Sequence, residues 1–331
     1  MNPLQTPAQW PAEAIWQAVA PLLPGFTVEV LPSIDSTSSE LMRRARDGRH
    51  EPTLLVAETQ TAGRGRLGRD WHSEAIYRDT GVVPALTFSL GLPLAPREWS
   101  GLSLAVGVSV AESLQPQLPA AGSGQPRILL KWPNDLWLVS RHPLDAEGWA
   151  PPSGRSARRA AQPIQEVSAS GATQQCDSRA SADRHLAGGA ALGRKLGGIL
   201  VETASLAGAA GDPRYVVVGI GLNVLPVLAQ GLRTPPACLR EVDGTLTAAR
   251  ALERIAAPLV QALLGFADAG FAPFQARFAQ RDLLAGRSVS LSDGSQGTAH
   301  GVTEDGTLLV HTALGMQAVT SSEISVRPVE G

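Results

Sequence analysis

The stretch from Ser140 to Gly193 does most to limit what this chain can fold into. It is rich in Ala, Ser, Gly, Pro and Arg and nearly lacks aromatic and β-branched residues. Such a composition buries too little apolar surface to offset the entropy of ordering it. The segment therefore reads as a disordered insertion, and any core must be built from the residues on either side. Those flanks read as strands by length and apolar content, Leu136 to Val139 before it and Leu196 to Glu202 after it. The fold has to bring them together across the insertion.

The rest of the chain supplies a core. Hydrophobic residues make up 44% and charged residues only 18%, within a globular range. At 331 residues there is room for one large domain and a small one. Residues before Phe26 predict one short amphipathic helix carrying Trp10, Ile15, Trp16 and Val19, stopped by Pro21 and Pro24. A second helix is expected from Ser36 or Thr37, where Thr37 and Glu40 have capping-box spacing, to Gly48. Further strands are predicted at Leu54 to Glu58, Ala85 to Leu90, Ile128 to Lys131 and Tyr215 to Val224. Helices are predicted at Leu102 to Leu114, Thr247 to Phe266 and Phe271 to Leu284. From Gly286 onward, short apolar segments alternate with turn signals at Asp293-Gly294 and Asp305-Gly306, which suggests a small antiparallel β-barrel.

Charge and special residues exclude several classes. The net charge of −2 gives no broad positive field for nucleic acid or anionic lipid. There is no apolar run of about 18 residues that would span a bilayer, and the start lacks the basic residues of a signal or transit peptide. A cytoplasmic protein that binds neither membrane nor nucleic acid is the expectation. Cys176 and Cys238 have no metal-ligand spacing and are expected to be reduced thiols, although one bridge between them stays open. The six histidines are scattered.

Four motifs carry polar chemistry. Gly63-Arg64-Gly65-Arg66-Leu67-Gly68-Arg69-Asp70-Trp71 alternates glycines, which admit close backbone approach, with guanidinium forks suited to carboxylate or phosphate. It lacks the Gly-Lys-Ser/Thr of a P-loop. A solvated basic loop is the plain alternative, and a single compact copy ended by Trp71 argues against it. Lys131-Trp132-Pro133-Asn134-Asp135 places a cation, an amide and a carboxylate at one strand turn. Paired or spaced glycines recur in Lys195-Leu196-Gly197-Gly198-Ile199-Leu200-Val201-Glu202 and in Gly219-Ile220-Gly221-Leu222-Asn223-Val224, as ligand-facing backbone or as packing devices. Of 28 basic residues 26 are arginine, and both lysines, Lys131 and Lys195, fall in these motifs. Codon bias accounts for the skew; the survival of two lysines there suggests sites that need a compact ammonium.

Together with Asp35-Ser36-Thr37-Ser38 and Gln60, these motifs in this order resemble the stand-alone biotin–protein ligases, over nearly the whole chain except the insertion and the first 30 residues or so. The resemblance implies an α/β (α+β) fold. It has a mixed, mostly antiparallel sheet with helices packed on one face, class II synthetase-like, over residues 1–283. An SH3-like barrel follows over 284–331, and 140–193 is inserted. It implies an ATP-dependent ligase that uses biotin, ATP and Mg²⁺ to make biotinoyl-5′-adenylate and then biotinylates a lysine of a biotin carboxyl carrier protein or domain. Homodimerisation is left open. By the same resemblance Ser36, Thr37, Ser38, Gln60, Arg64, Gly65, Arg66, Lys131 and Gly197 meet biotin, and Arg66, Trp71, Lys131, Asn134, Asn223 and Arg327 meet ATP. Arg64, Arg66, Lys131 and Asp135 are the implied catalytic set, with Asp135 beside the incoming lysine, and no metal is implied beyond that carried by ATP. The family usually has Asn where this chain has Ser38. The alternatives are a lipoate–protein ligase, whose Arg-Arg-x-x-Gly-Gly-Gly pattern is missing, and a biotin-binding regulator. A DNA-binding repressor would need a winged helix for which the residues before the first motif are too few. A non-catalytic binding module is disfavoured by Lys131 and Asp135.

Overall fold

The computed structural model describes residues 9–71, 82–140, 193–206, 213–227, 234–291 and 294–320, with the backbone of 326–328. Nearly all of the predicted insertion, including Cys176, lies outside the described residues. Seven strands form one mixed sheet: β1 (Thr27–Leu31), β2 (Thr53–Ala57), β3 (Ala85–Leu94), β4 (Arg127–Lys131), β5 (Asp135–Val139), β6 (Arg194–Ser205) and β7 (Arg214–Asn223). Their spatial order is β1-β2-β3-β7-β6-β5-β4. Only β1 and β2 run parallel; every other neighbour pair is antiparallel. β5 and β6, on either side of residues 141–191, pair directly, with Asp135 opposite Gly198 and Leu138 opposite Arg194.

Strand alternation sends apolar side chains to both faces. Leu54 and Val56 enter the main core, while Leu55 between them enters a separate cluster. The main core takes residues of α1 (Ala12–Val19), α3 (Leu102–Leu114), α4 (Ala248–Ala269) and α5 (Ala272–Arg281), which share one face. α2 (Thr37–Arg46) covers part of the opposite face, where its Leu41, Met42 and Ala45 pack on Leu55, Tyr215 and Val217. The unburied remainder of that face is where a ligand can lie.

The start of α2 departs from the capping-box expectation. Ser36 is the cap, its hydroxyl accepting from Ser39 N at 3.3 Å. Thr37 instead turns its hydroxyl to Gln60 and Ser89, and Glu40 turns to Arg43 and Arg44. The capping hydroxyl moves one residue back because Thr37 is drawn into a buried polar network.

A second, five-stranded antiparallel sheet follows: β8 (Ser288–Leu291), β9 (Gln296–Val302), β10 (Leu308–Thr312), β11 (Gly315–Val319) and β12 (Val326–Pro328), in the order β11-β10-β9-β8-β12. Its Asp305-Gly306 turn, with Gly306 at φ 81°, packs on the first sheet's β4–β5 turn, where Trp132 Nε1 donates to Gly306 O at 3.1 Å. A side chain at Gly306 would strike Gly101 at the start of α3. Cys238 is buried and unbridged, and burial pushes its thiol pKa up to about 12. Among the described residues no helix is long and apolar enough to cross a membrane.

Candidate functional site

On the α2 side of the sheet a cleft of about 760 Å³, counting its open mouth, lies between α2, the Gly63–Trp71 loop and strands β5 to β7. Its floor is kept low by glycines. A Cβ at Gly219 would sit 2.3 Å from Ser38 Oγ, and one at Gly221 would sit 2.5 Å from the Trp71 ring. Ser38 and Trp71 therefore lie directly on β7, which any larger residue would forbid.

One end of the cleft is a chain of hydroxyls with a fixed direction. Thr37 N–H donates to Gln60 Oε1 at 2.8 Å, which fixes the amide orientation. Thr37 Oγ1 lies 3.1 Å from the same oxygen, so the hydroxyl must donate. With its proton used, Thr37 accepts from Ser89 Oγ at 2.8 Å, and Ser89 in turn accepts from Ser38 Oγ at 2.9 Å. All three hydroxyl protons are then committed. What remains for a ligand is lone pairs on Thr37 and Ser38, the amide N–H groups of Gln60 and the unspent proton of Ser36. This end therefore suits a group carrying both N–H donors and a carbonyl acceptor.

The other end is cationic. Arg64, Arg66, Arg69 and Lys195 line the cleft against the carboxylates of Asp70 and Asp135, four cations to two anions. The loop that carries the arginines is a small hairpin. Trp71 N donates to Gly63 O at 2.9 Å and Gly65 N to Arg69 O at 2.7 Å. At its tip Leu67 (φ 57°) and Gly68 (φ 67°) are both left-handed, a conformation that Gly tolerates and Leu resists. Half-buried Arg66 reaches Asn134 Oδ1 at 3.4 Å, and burial lowers its pKa from the ordinary guanidinium value. Asn134 is held by β6, donating to Ile199 O at 2.7 Å while its own carbonyl accepts from Ile199 N at 2.9 Å. Lys195 Nζ donates to Asp135 Oδ1 at 2.7 Å. The Trp71 indole N–H is buried and has no partner among the described residues.

Of the residues expected from the sequence, the cleft gathers Ser36, Thr37, Ser38, Gln60, Arg64, Gly65, Arg66, Trp71, Asn134 and Asp135. Lys131, Gly197 and Asn223 are not among its lining residues. Lys131 ends β4, its ammonium 5.7 Å from the Trp137 ring centroid. A Cβ at Gly197 would strike Gly221 O and Leu222, so this glycine serves strand packing, and its neighbour Gly198 lines the cleft. Asn223 ties the end of β7 to the segment before Cys238, donating to Ala237 O at 3.0 Å. Only the backbone of Arg327 is described, within β12. Lys195, Ser89, Gly219 and Gly221 have places here that the sequence did not assign. For Lys195 the signal was present, since it is one of two lysines in the chain. Ser89 had none, being one serine in an apolar strand.

Among the described residues no group of three or more His, Cys, Asp or Glu could hold a metal ion.

Comparison with known proteins bears on the family and the fold. Residues 30–142 match the model of the biotin/lipoate A/B protein ligase family, and residues 286–327 that of the biotin protein ligase C terminal domain. The bifunctional ligase/repressor BirA of Salmonella typhimurium is 29% identical over 312 residues, 92% of this chain and 75% of that protein. The biotin–[acetyl-CoA-carboxylase] ligase of Paracoccus denitrificans is 23% identical over 303 residues, 89% of this chain and 98% of that one. The fold is that of the Aquifex aeolicus biotin protein ligase solved with biotin and ATP, with a TM-score of 0.59 at 23% identity, covering 91% of this chain and 99% of that one.

Proposed function

Since this chain belongs to the biotin protein ligase family, we propose that its cleft condenses biotin with ATP to biotinoyl-5′-adenylate and then transfers the biotinoyl group to a lysine of a biotin carboxyl carrier protein. The observation that carries the choice of biotin is the directed hydroxyl chain Ser38–Ser89–Thr37–Gln60. A cyclic urea offers both the N–H donors and the carbonyl this end requires. The dithiolane of lipoate offers neither, and would leave those buried groups unpaired at a cost of about 1–3 kcal/mol each.

The cationic end then takes the carboxylate and the phosphates. Biotin's carboxylate oxygen attacks the α-phosphorus, and the bond to the leaving pyrophosphate breaks. Lys195, Arg66 and Arg69, all lining the cleft, hold the charge that gathers there. In the second step the acceptor amine attacks the acyl carbon and AMP leaves. Asp135 faces that position and would hold the lysine's ammonium and take up its proton. Mg²⁺ would enter with the ATP phosphates and help to neutralise their charge.

The test is to incubate the chain with ATP, Mg²⁺ and either biotin or lipoate, and to look for each adenylate by mass, then for transfer to a carboxyl carrier domain. Biotinoyl-adenylate and a biotinylated carrier are expected. A lipoyl-adenylate with biotin inert would sink the reading.

A further inference from the structure

Glu202 lies on β6 beyond Gly198 and Leu200, outside the lining of the cleft. Its Oε1 accepts from Arg64 Nη2 at 2.9 Å. Its Oε2 is buried and accepts no hydrogen bond among the described residues. The Glu202 side chain is only 22% exposed against 47% for Arg64. Its ion-pair partner among the described residues is Arg64, from the loop over the cleft.

The Gly63–Trp71 hairpin is closed by its own backbone bonds, so it can move as a unit. Side chains fix it to the body of the protein on two sides. On one side Arg66 reaches Asn134 and Trp71 lies on Gly221. On the α2 side stands Arg64, Nη1 donating to Ser39 Oγ at 3.2 Å and Nη2 to Glu202. Arg64 lines the cleft, yet both of its terminal nitrogens are engaged by Ser39 and Glu202. The next residues, Gly65 and Arg66, line the cleft as well.

We propose that Glu202 is a positioning residue: by clamping Arg64 it holds the hairpin shut over the cleft, and Arg64 serves as a strut and not as a charge facing the reacting phosphate. What the clamp retains is biotin, and to that extent the inference rests on the function proposed above. The closure itself does not depend on it.

The test begins on the ligand-free protein. Trypsin cuts after arginine, and Arg64, Arg66 and Arg69 report on the loop, since cleavage follows the open population when reclosing is fast. Glu202→Gln keeps the shape and removes the charge. For a half-exposed pair, loop cleavage should rise roughly five-fold, with little change in melting temperature. Arg64→Gln should raise cleavage after Arg66 and Arg69 by a similar factor. The double variant Arg64→Gln/Glu202→Gln should go no further than either single, because both remove one clamp. Equal cleavage of wild type and Glu202→Gln, or factors that multiply in the double variant, would overturn the proposal. On the ligand side, biotin dissociation from Glu202→Gln should quicken by a comparable factor. Pyrophosphate release at saturating biotin and ATP should stay within about two-fold. A matching fall in that rate would place Glu202 in the chemistry and overturn the positioning role. Absence of biotin binding in the wild type would sink the substrate reading while the cleavage result still decided the clamp.

Discussion

Lys195 Nζ donates to Asp135 Oδ1 at 2.7 Å across the β5–β6 pair, inside the cleft. The two groups satisfy each other until an anion competes for the ammonium. A carboxylate or phosphate arriving at the cationic end draws Lys195 toward it and frees Asp135 for the acceptor lysine. The half-reactions should therefore separate the pair. Lys195→Met should cut biotin-dependent pyrophosphate release about 10²- to 10³-fold, the range for losing one preorganised charge partner. Asp135→Asn should leave that step within a few-fold and slow transfer to the carrier lysine instead. Lys131→Met serves as the contrast, since its ammonium lies by Trp137 outside the cleft lining, and adenylation should stay within a few-fold of wild type. Loss of pyrophosphate release in Lys131→Met with near-normal release in Lys195→Met would reverse these assignments.

Gly219 and Ser38 set the floor of the hydroxyl-lined end of the cleft. A methyl at residue 219 meets Ser38 Oγ at 2.3 Å and must push it off Ser89. Gly219→Ala should lower stability by about 1–3 kcal/mol through overpacking and weaken biotin binding on the order of ten-fold. The clash is with the hydroxyl, since Ser38 Cβ would stand 3.6 Å from the added methyl. Adding Ser38→Ala to Gly219→Ala should therefore restore most of the stability, though not the hydrogen-bond chain. Melting curves and biotin titrations check this, and a double variant no more stable than Gly219→Ala would refute the steric account.

Periodicity made the elements legible. The apolar run Leu102 to Leu114 is α3 as expected, and the runs around Leu54, Ala85, Ile128, Leu136, Leu196 and Tyr215 are strands. β1, Thr27–Leu31, escaped notice because it is only five residues long, although Val28 and Val30 alternate with Thr27 and Glu29 in it. The site was legible wherever a motif packed several polar residues into one turn, as in Gly63–Trp71 and Asn134-Asp135. It was not legible where a role depends on what a neighbouring strand presents. Ser89 matters because Thr37 and Ser38 sit on it, and Glu202 because Arg64 comes down to it across the fold. Lys131 and Lys195 could not be ranked from sequence. Both lie near Asp135 in the sheet; the bulge between Leu136 and Trp137 brings Lys195 to the face of Asp135, whose carboxylate it meets inside the cleft, while the Lys131 ammonium lies by Trp137 outside the cleft lining.

The register of β5 and β6 bears on residues 141–191. Leu138 pairs with Arg194, so the chain leaves the sheet at Val139 and re-enters it one strand away at Gly193. A short Gly/Asn linker can join strands at that separation. Replacing 141–191 with such a linker should leave the melting temperature within a few degrees and pyrophosphate release within about two-fold, because β5 and β6 pair directly with each other on either side of it. A folded but inactive deletion variant would show that the segment takes part in the reaction.

Asp282, just past α5, gives stability a pH dependence of unusual sign for a carboxylate. Its Oδ1 accepts from Leu284 N at 2.8 Å, while Oδ2 is buried and has no partner among the described residues. Burial raises its pKa from 3.8 to about 6, and the backbone N–H groups of Leu284 and Ala285 only partly oppose that shift. The folded state therefore holds this proton more tightly than the unfolded chain. The stabilising contribution is complete below about pH 4 and disappears as the pH rises through 6. Above that, the fold carries an ionised, half-paired carboxylate, and the two-unit rise corresponds to at most about 3 kcal/mol. Asp282→Asn keeps an acceptor for Leu284 N–H and cannot ionise. It should be more stable than wild type at pH 7.5 and no more stable at pH 4, with the difference growing between those limits. Urea midpoints of the two proteins at half-unit pH steps measure this, and a difference that stays flat from pH 4 to 7.5 would show that Asp282 ionises in the fold no differently from an exposed carboxylate.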